Sequence, residues 1–289
     1  MAIDLVPVWA VLLAFGVFMY VLLDGFDLGV GILFPLAPDD RGRDLMMASV
    51  GPIWDGNETW LVFGGLALFA AFPLAFAVII PALYFPILAM VLGLVFRGVA
   101  FEFRQGALGN RKLWGWAFFG GSLMATFAQG CVLGKFVRGF AVAGRQYAGT
   151  SWDWLHPFVI AVGVGLVFGY LLLGATWLVM KTEGTLQDWA RAQARIGLWG
   201  TLAFIAVVSL CTPLFDARIA ERWFTWPNLA FLAPVPIATA AIAWWLWSSL
   251  RLRREVAPFI AAIGLFLLCY LGLAISLFPH IVPPTITLW

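Results

Sequence analysis

The sequence predicts an all-α, polytopic transmembrane helical bundle, and three observations predict it. Hydrophobic residues make up 63% of the 289-residue chain, charged residues only 11%, and mean hydropathy is +0.96; an ordinary soluble domain carries about 25% charged residues. Apolar windows long enough to cross a bilayer, about 20 residues each, recur along the whole chain. From Leu61 to Phe96 no residue is charged, a run of 36 (96 − 61 + 1). One span needs fewer residues than that, and two need more. The connections between windows are short, so residues 1–289 read as a single integral-membrane domain.

Eight spans are visible. The first is Leu5–Leu28. The preceding Met1-Ala2-Ile3-Asp4 has no basic region and no cleavage site follows before Asp24, so this span is expected to stay in the mature protein. Pro73 divides the uncharged run into a second span, Ile53–Phe72, and a third, Leu74–Phe96. The second must borrow residues from Ile53 onward, which carries Asp55 and Glu58 into the bilayer edge or deeper. The rest are Leu113–Leu133, Phe158–Met180, Ile196–Leu214, Asn228–Ser248 and Val256–Phe278. Trp114, Trp116, Trp152, Trp154, Trp223 and Trp226 flank spans as an interfacial belt does.

Orientation follows from the basic residues. With the N-terminus outside, the inner loops hold Arg41, Arg43, Arg97, Arg104, Arg111, Lys112, Lys181, Arg191, Arg195, Arg251, Arg253 and Arg254. The outer loops hold Lys135, Arg138, Arg145, Arg218 and Arg222. That is 12 against 5, and the inner side of a membrane protein carries the excess. The net charge of +2 marks topology and gives no reason to expect nucleic acid as a partner. Cys131, Cys211 and Cys269 lie at or within spans without CxxC spacing and read as small buried apolar residues. Phosphate-loop, zinc and serine-elbow motifs do not occur. An internal repeat is not evident, which disfavours repeat-built transporters.

Two acidic clusters carry the chemistry. Asp24 and Asp27, near the end of the first span, are three residues apart and share a helix face. Gly25 and Gly29 form a small-xxx-small pair that lets another backbone approach. Asp55 and Glu58 are again three apart, with Asn57 and Thr59 adding hydrogen-bonding groups. In an N-out topology both clusters converge at the cytoplasmic edge. Carboxyls that can hold or release a proton, linked by amides, hydroxyls or water, can relay protons. A structural reading stays open, in which the acids pair with Arg97 or Arg104 at the inner end of the third span; so does a cation site. Glu102, at the exit of that span, reads as a surface salt bridge. Only His156 and His280 are available as imidazole ligands. His156-Pro157 reads as a helix start and His280 as part of a Pro-rich turn, so a redox centre is not expected in this chain.

The segment Asp24-Gly25-Phe26-Asp27-Leu28-Gly29-Val30-Gly31 together with Trp54-Asp55-Gly56-Asn57-Glu58-Thr59-Trp60 resembles subunit II of the cytochrome bd-type quinol oxidases. Phe96-Arg97-Gly98-Val99-Ala100-Phe101-Glu102-Phe103-Arg104 and Met180-Lys181-Thr182-Glu183-Gly184 add to the match, and the overall length and Glu58 resemble the shorter, cyanide-insensitive branch. The resemblance implies a nine-helix subunit of a terminal oxidase in the bacterial cytoplasmic (inner) membrane, pseudo-symmetric with subunit I. Family members continue beyond Pro283-Pro284 into a final span, so a ninth helix is expected in the full-length protein. The complex oxidises quinol and reduces dioxygen to water. Haems b and d and the quinol site belong to subunit I, and no cofactor or metal is expected in this chain. Its implied partners are the haem-bearing subunit I, lipids and quinone, with room for a small single-span subunit.

The resemblance assigns this subunit support of subunit I, a cytoplasmic proton path and dioxygen access. Asp24, Asp27, Asp55, Asn57 and Glu58 are the proton-path candidates. Arg97, Glu102 and Arg104 are ion-pair candidates, and Gly25, Gly29, Trp54 and Trp60 interface-packing candidates. The alternative is a proton- or cation-coupled secondary transporter, whose substrate residues would lie mid-span on paired broken helices.

Overall fold

The computed structural model describes residues 4–106, 110–215 and 217–289. Residues 1–3, which belong to the stretch expected to lack a leader's basic region, lie outside the described residues, as do residues 107–109 of the loop after the third span.

Helix α1 (Val6–Leu33) begins with a proline in its first turn, where the missing N–H costs nothing, and runs on through a 3₁₀ turn at Phe34–Leu36. Polar α2 (Asp40–Val50) is capped by Asp39, whose carboxylate accepts from the Gly42 N–H at 2.6 Å. Then come α3 (Trp54–Ala71), α4 (Pro73–Ala82), α5 (Tyr84–Gly106) and α6 (Arg111–Arg138). A hairpin of β1 (Val142–Ala143) and β2 (Gln146–Tyr147) leads to α7 (Pro157–Lys181). His156 caps α7, its ring nitrogen accepting from the Phe158 N–H at 3.2 Å. Helix α8 (Gly184–Phe215) opens on Gly184 at φ +63°, the left-handed conformation that turns the chain back on α7. Short α9 (Ala217–Phe224) and α10 (Asn228–Leu232) precede α11 (Pro234–Arg251) and α12 (Ala257–Leu277). A last hairpin pairs β3 (His280–Val282) with β4 (Ile286–Thr287).

The third span departs from its expected bounds. The apolar stretch after Pro73 is not one helix but α4 and α5, broken at Leu83. Pro86 has no N–H to give the Ala82 carbonyl and its ring would strike it, so the helix cannot run through. At 10 residues α4 is about 15 Å long, half a bilayer. The crossing helix is α5, which carries Arg97 and Arg104 within its length rather than beyond its end.

Side-chain contacts sort the connections into two ends. At one, the Trp289 indole N–H donates to Asp4 at 2.9 Å, the Phe140 N–H to the Pro283 carbonyl at 2.8 Å, and Arg222 to the Ile275 carbonyl at 2.6 Å. At the other, the Trp177 indole donates to Ser49 at 3.3 Å, Arg191 to the Arg254 carbonyl at 2.8 Å, and Arg253 pairs with Asp188 at 3.1 Å. Eight helices run between these ends: α1, α3, α5, α6, α7, α8, α11 and α12. Among the described residues seven helical segments are long and apolar enough to cross a membrane; α3, which bears the second acidic cluster, is the eighth traverse. Helices α1, α6 and α7 form the middle of the bundle, and α7 and α1 contribute more residues to the main buried core than any other helix.

Candidate functional site: a buried ionic cluster in mid-bundle

Arg97 is the centre of the site. It is fully buried on α5 and donates to Asp24 of α1 at 2.5 Å and to Glu58 of α3 at 2.9 Å. Asp24 is buried as completely, whereas the Glu58 side chain keeps 25% of its exposure. Asp27, one turn along α1, accepts from the Asn57 side-chain amide at 2.8 Å, and the same amide also reaches the Leu23 carbonyl at 3.3 Å. Trp54 closes the cluster from the side: its ring lies 5.6 Å from the Arg97 guanidinium and stacks on Phe101 at 5.1 Å. Trp54, Asn57 and Glu58 stand at i, i+3 and i+4 and so form the inner face of α3. Asp55 falls off that face and is exposed in the first turn.

The depth differs from expectation. Asp24 lies nine residues (33 − 24) before the end of α1, and Arg97 nine residues (106 − 97) before the end of α5. At 1.5 Å per residue that is about 14 Å, so Asp24 and Arg97 sit inside the bundle, about a third of the way or slightly more along their helices from that end, while Glu58 stands one turn from the start of α3. The shift arises because α1 continues past Leu28 and α5 past Phe96.

The remaining candidates separate from it. Arg104 does not meet the acidic clusters; it donates to Asp44 of α2 at 2.8 Å, and Arg111 joins the same carboxylate at 2.7 Å. Partial burial works to raise the Asp44 carboxyl, but the hydrogen bonds from Arg104 and Arg111 outweigh it and hold it below its ordinary value. Glu102 is exposed and has no ion pair among the described residues, which corrects the surface salt bridge expected of it. Five residues past Arg97, it lies about 140° around α5, on the opposite face. Gly25 and Gly29 face α7 of the same chain: a Cβ on Gly25 would meet the Tyr170 ring, and one on Gly29 the Tyr170 carbonyl. They serve this chain's interior and not a boundary with another. Trp54 likewise packs internally, and Trp60 meets Phe15 and Phe63 edge-on.

Sequence reasoning missed a second polar chain. The Gln129 amide on α6 donates to the Tyr20 hydroxyl at 2.6 Å and accepts from the Tyr170 hydroxyl at 2.8 Å, all buried. The available signal was the presence of Tyr20, Gln129 and Tyr170 as polar-tipped residues within apolar spans. Asp44 was missed because α2 lies outside every apolar window. Among the described residues no group of three or more His, Cys, Asp or Glu could hold a metal. His156 is engaged as a helix cap and His280 lies 3.3 Å from Arg218 at an exposed hairpin.

The sequence pattern of the family described as cytochrome bd terminal oxidase subunit II matches residues 5–289. The chain belongs to that family. "Cytochrome bd-I ubiquinol oxidase subunit 2" of Escherichia coli (strain K12) is 32% identical over 211 residues, 70% of this chain and 56% of that protein. "Cytochrome bd ubiquinol oxidase subunit 2" of Bacillus subtilis (strain 168) is 33% identical over 219 residues, 73% of this chain and 64% of that one. This subunit II chain therefore spans less than two thirds of the length of those curated relatives. Its fold is that of a chain in the bd oxidase structure from Geobacillus thermodenitrificans, with TM-score 0.78, 19% identity, and coverage of 99% of this chain and 88% of that one. The subunit II family is thus all-α and multi-pass here, as composition required.

Proposed function

We propose that this chain is the haem-free subunit of a bd-type quinol oxidase in a bacterial inner membrane, N-terminus outside, and that its ionic cluster conducts protons from the cytoplasmic end. The overall reaction, two quinols and one dioxygen giving two quinones and two waters, takes place on subunit I, where haems b and d and the quinol site belong. Reduction of dioxygen draws in four protons, and these need a route through an apolar slab. A small single-span subunit, lipid and quinone complete the assembly, and apolar helices such as α3 and α4 offer dissolved dioxygen a path.

One observation carries the reading: a single buried guanidinium pairs with Asp24 and Glu58, while a third carboxyl, Asp27, lies one turn along α1 with only the Asn57 amide as partner among the described residues. Arg97 balances one charge and part of a second, and an uncompensated buried charge is neutralised rather than tolerated. A proton resident on one carboxyl supplies the neutralisation, and exchange of that proton is the conducting step. Asp55 forms the mouth at the start of α3, Glu58 lies one turn in, and Asp24 and Asp27 with Asn57 lie beyond.

The test is Asp27→Asn beside Asp55→Asn in the purified complex. Asp27→Asn should assemble with a normal haem spectrum yet lower turnover at least tenfold, as loss of a positioned proton carrier does. Asp55→Asn, at the exposed mouth, should slow it only several-fold. Wild-type turnover by Asp27→Asn across pH 6–9 would sink the reading. Purification without co-migrating haem absorbance would favour a transporter instead.

A further inference from the structure

Helix α6 presents the cluster with a polar stripe that the proton route described above does not use. Ser122, Thr126 and Gln129 stand at i, i+4 and i+7 and so share a face; Ser122 and Thr126 are fully buried. Two contacts fix how this face lies along α1. The Ser122 hydroxyl abuts Gly31, one turn beyond Asp27, and Gln129 holds the Tyr20 hydroxyl, one turn before Asp24. Since α1 and α6 run in opposite directions, Thr126 falls level with Asp24 and Asp27.

Five buried polar atoms at this level have no hydrogen-bond partner among the described residues: Ser122 Oγ, Thr126 Oγ1, Asp24 Oδ2, Asp27 Oδ1 and Arg97 Nε. Buried polar atoms in folded proteins are almost always satisfied, by protein or by bound water. One such atom is an exception; five on three neighbouring helices mark a place where a small molecule belongs. It must donate to carboxylate oxygens and accept from hydroxyls and a guanidinium N–H. Water does both, and a buried water in a protein makes about two to four such bonds.

We infer that α1, α5 and α6 enclose an internal water site in which the Thr126 hydroxyl couples the Asp24 and Asp27 carboxyls. The inference rests on the proton-path reading and adds a second wall to that path. Thr126 links two waters: its hydroxyl accepts from one and donates to the next. A proton arriving at one side is matched by one leaving the other, so the number of protons on Thr126 is conserved, and rotation of its O–H resets the link before the next passage. Gln129 contributes from below. Its amide N–H donates to the Tyr20 oxygen, one turn before Asp24 on α1, and leaves the Tyr20 proton unclaimed by Gln129. The stripe thus sets both the water and the phenol next to the carboxyl pair.

The experiment uses the complete oxidase, with Thr126→Val, which keeps shape and loses the hydroxyl, and Thr126→Ser, which restores it. Thr126→Val should keep the haem spectrum, slow turnover several-fold most strongly at alkaline pH, and shift the infrared carbonyl band of protonated carboxyl groups. Thr126→Ser should return all three readouts to wild type. If Thr126→Val matches wild type in rate, pH profile and carbonyl band while Asp27→Asn is slow, the water site is wrong and the proton path stands. If Asp27→Asn is also unaffected, both fall. Should Thr126→Val fail to assemble, Ser122→Ala provides the same spectral comparison, and an unshifted band there overturns the site.

Discussion

Arg97 is the residue on which the most depends. Its guanidinium has no solvent exposure and two carboxylate partners on two other helices. Replacing it leaves Asp24 charged and unpaired in the interior, and breaking such a pair costs roughly 3–5 kcal/mol. Arg97→Gln should therefore deplete the assembled complex and its haem absorbance, and a double variant with Asp24→Asn should recover much of that loss. Recovery absent in the double variant would show that the pair is not the source of the instability. At this scale the sequence was partly legible. Asp24, Asp27, Asn57 and Glu58 stood out because polar residues in apolar surroundings are costly. Arg97 was read at the margin of its span, since the Pro86 break that shifts the span onward lies inside a featureless apolar run. Gln129 and Tyr20 are 109 residues apart, and no local spacing brings such a pair together.

Among the elements, the crossing of α1 and α7 leaves least tolerance. Gly29 and Gly174 let the two backbones touch, and a Cβ at either position would strike the other helix's main chain. Gly29→Val should separate the helices and lower the melting temperature of the complex by several degrees, whereas Gly56→Ala, where an added Cβ meets nothing within 4 Å, should not change it. The short α2 is tied to α5 and α6 by Asp44, and here pH is the lever. With its carboxyl held below the ordinary value of 3.8, Asp44 lends its stabilisation in full above that value. The contribution fades as pH falls through the lower folded-state value. Acid should loosen α2 from Arg104 and Arg111 before the bundle unfolds, seen as hydrogen exchange that rises first in Asp40–Val50. Exchange that rises uniformly along the chain would contradict this. The small-xxx-small pattern foretold a close approach, but not that the partner helix belongs to the same chain.

For the whole molecule, the decisive feature is that the connections alternate cleanly between two ends. The basic bias of 12 against 5 in the sequence is the ground for proposing that the end bearing Asp44, Glu183 and Arg254 faces the cytoplasm. A cysteine at Glu183, in the exposed turn between α7 and α8, should be labelled by an impermeant reagent only after the membrane is opened. One at Arg145, in the hairpin at the other end, should be labelled on intact cells, and the reverse pattern would invert the topology. Eight traverses could be counted from hydropathy because each needs about 20 apolar residues whatever its neighbours. The pairing of those helices could not, because lipid-soluble faces look alike in sequence.

The depth of the Arg97 cluster also has an electrical meaning. A charge moving across the full membrane does work of about 2.3 kcal/mol per 100 mV. Asp24 lies about a third of the way along α1 from its cytoplasm-facing end under the proposed topology, so on the proposed route a proton climbing to it from a negative interior would work against about 0.8 kcal/mol per 100 mV. The loading step should then slow roughly fourfold for each 100 mV of potential. On that proposed route, the position of the cluster makes its loading answer to the voltage across the membrane.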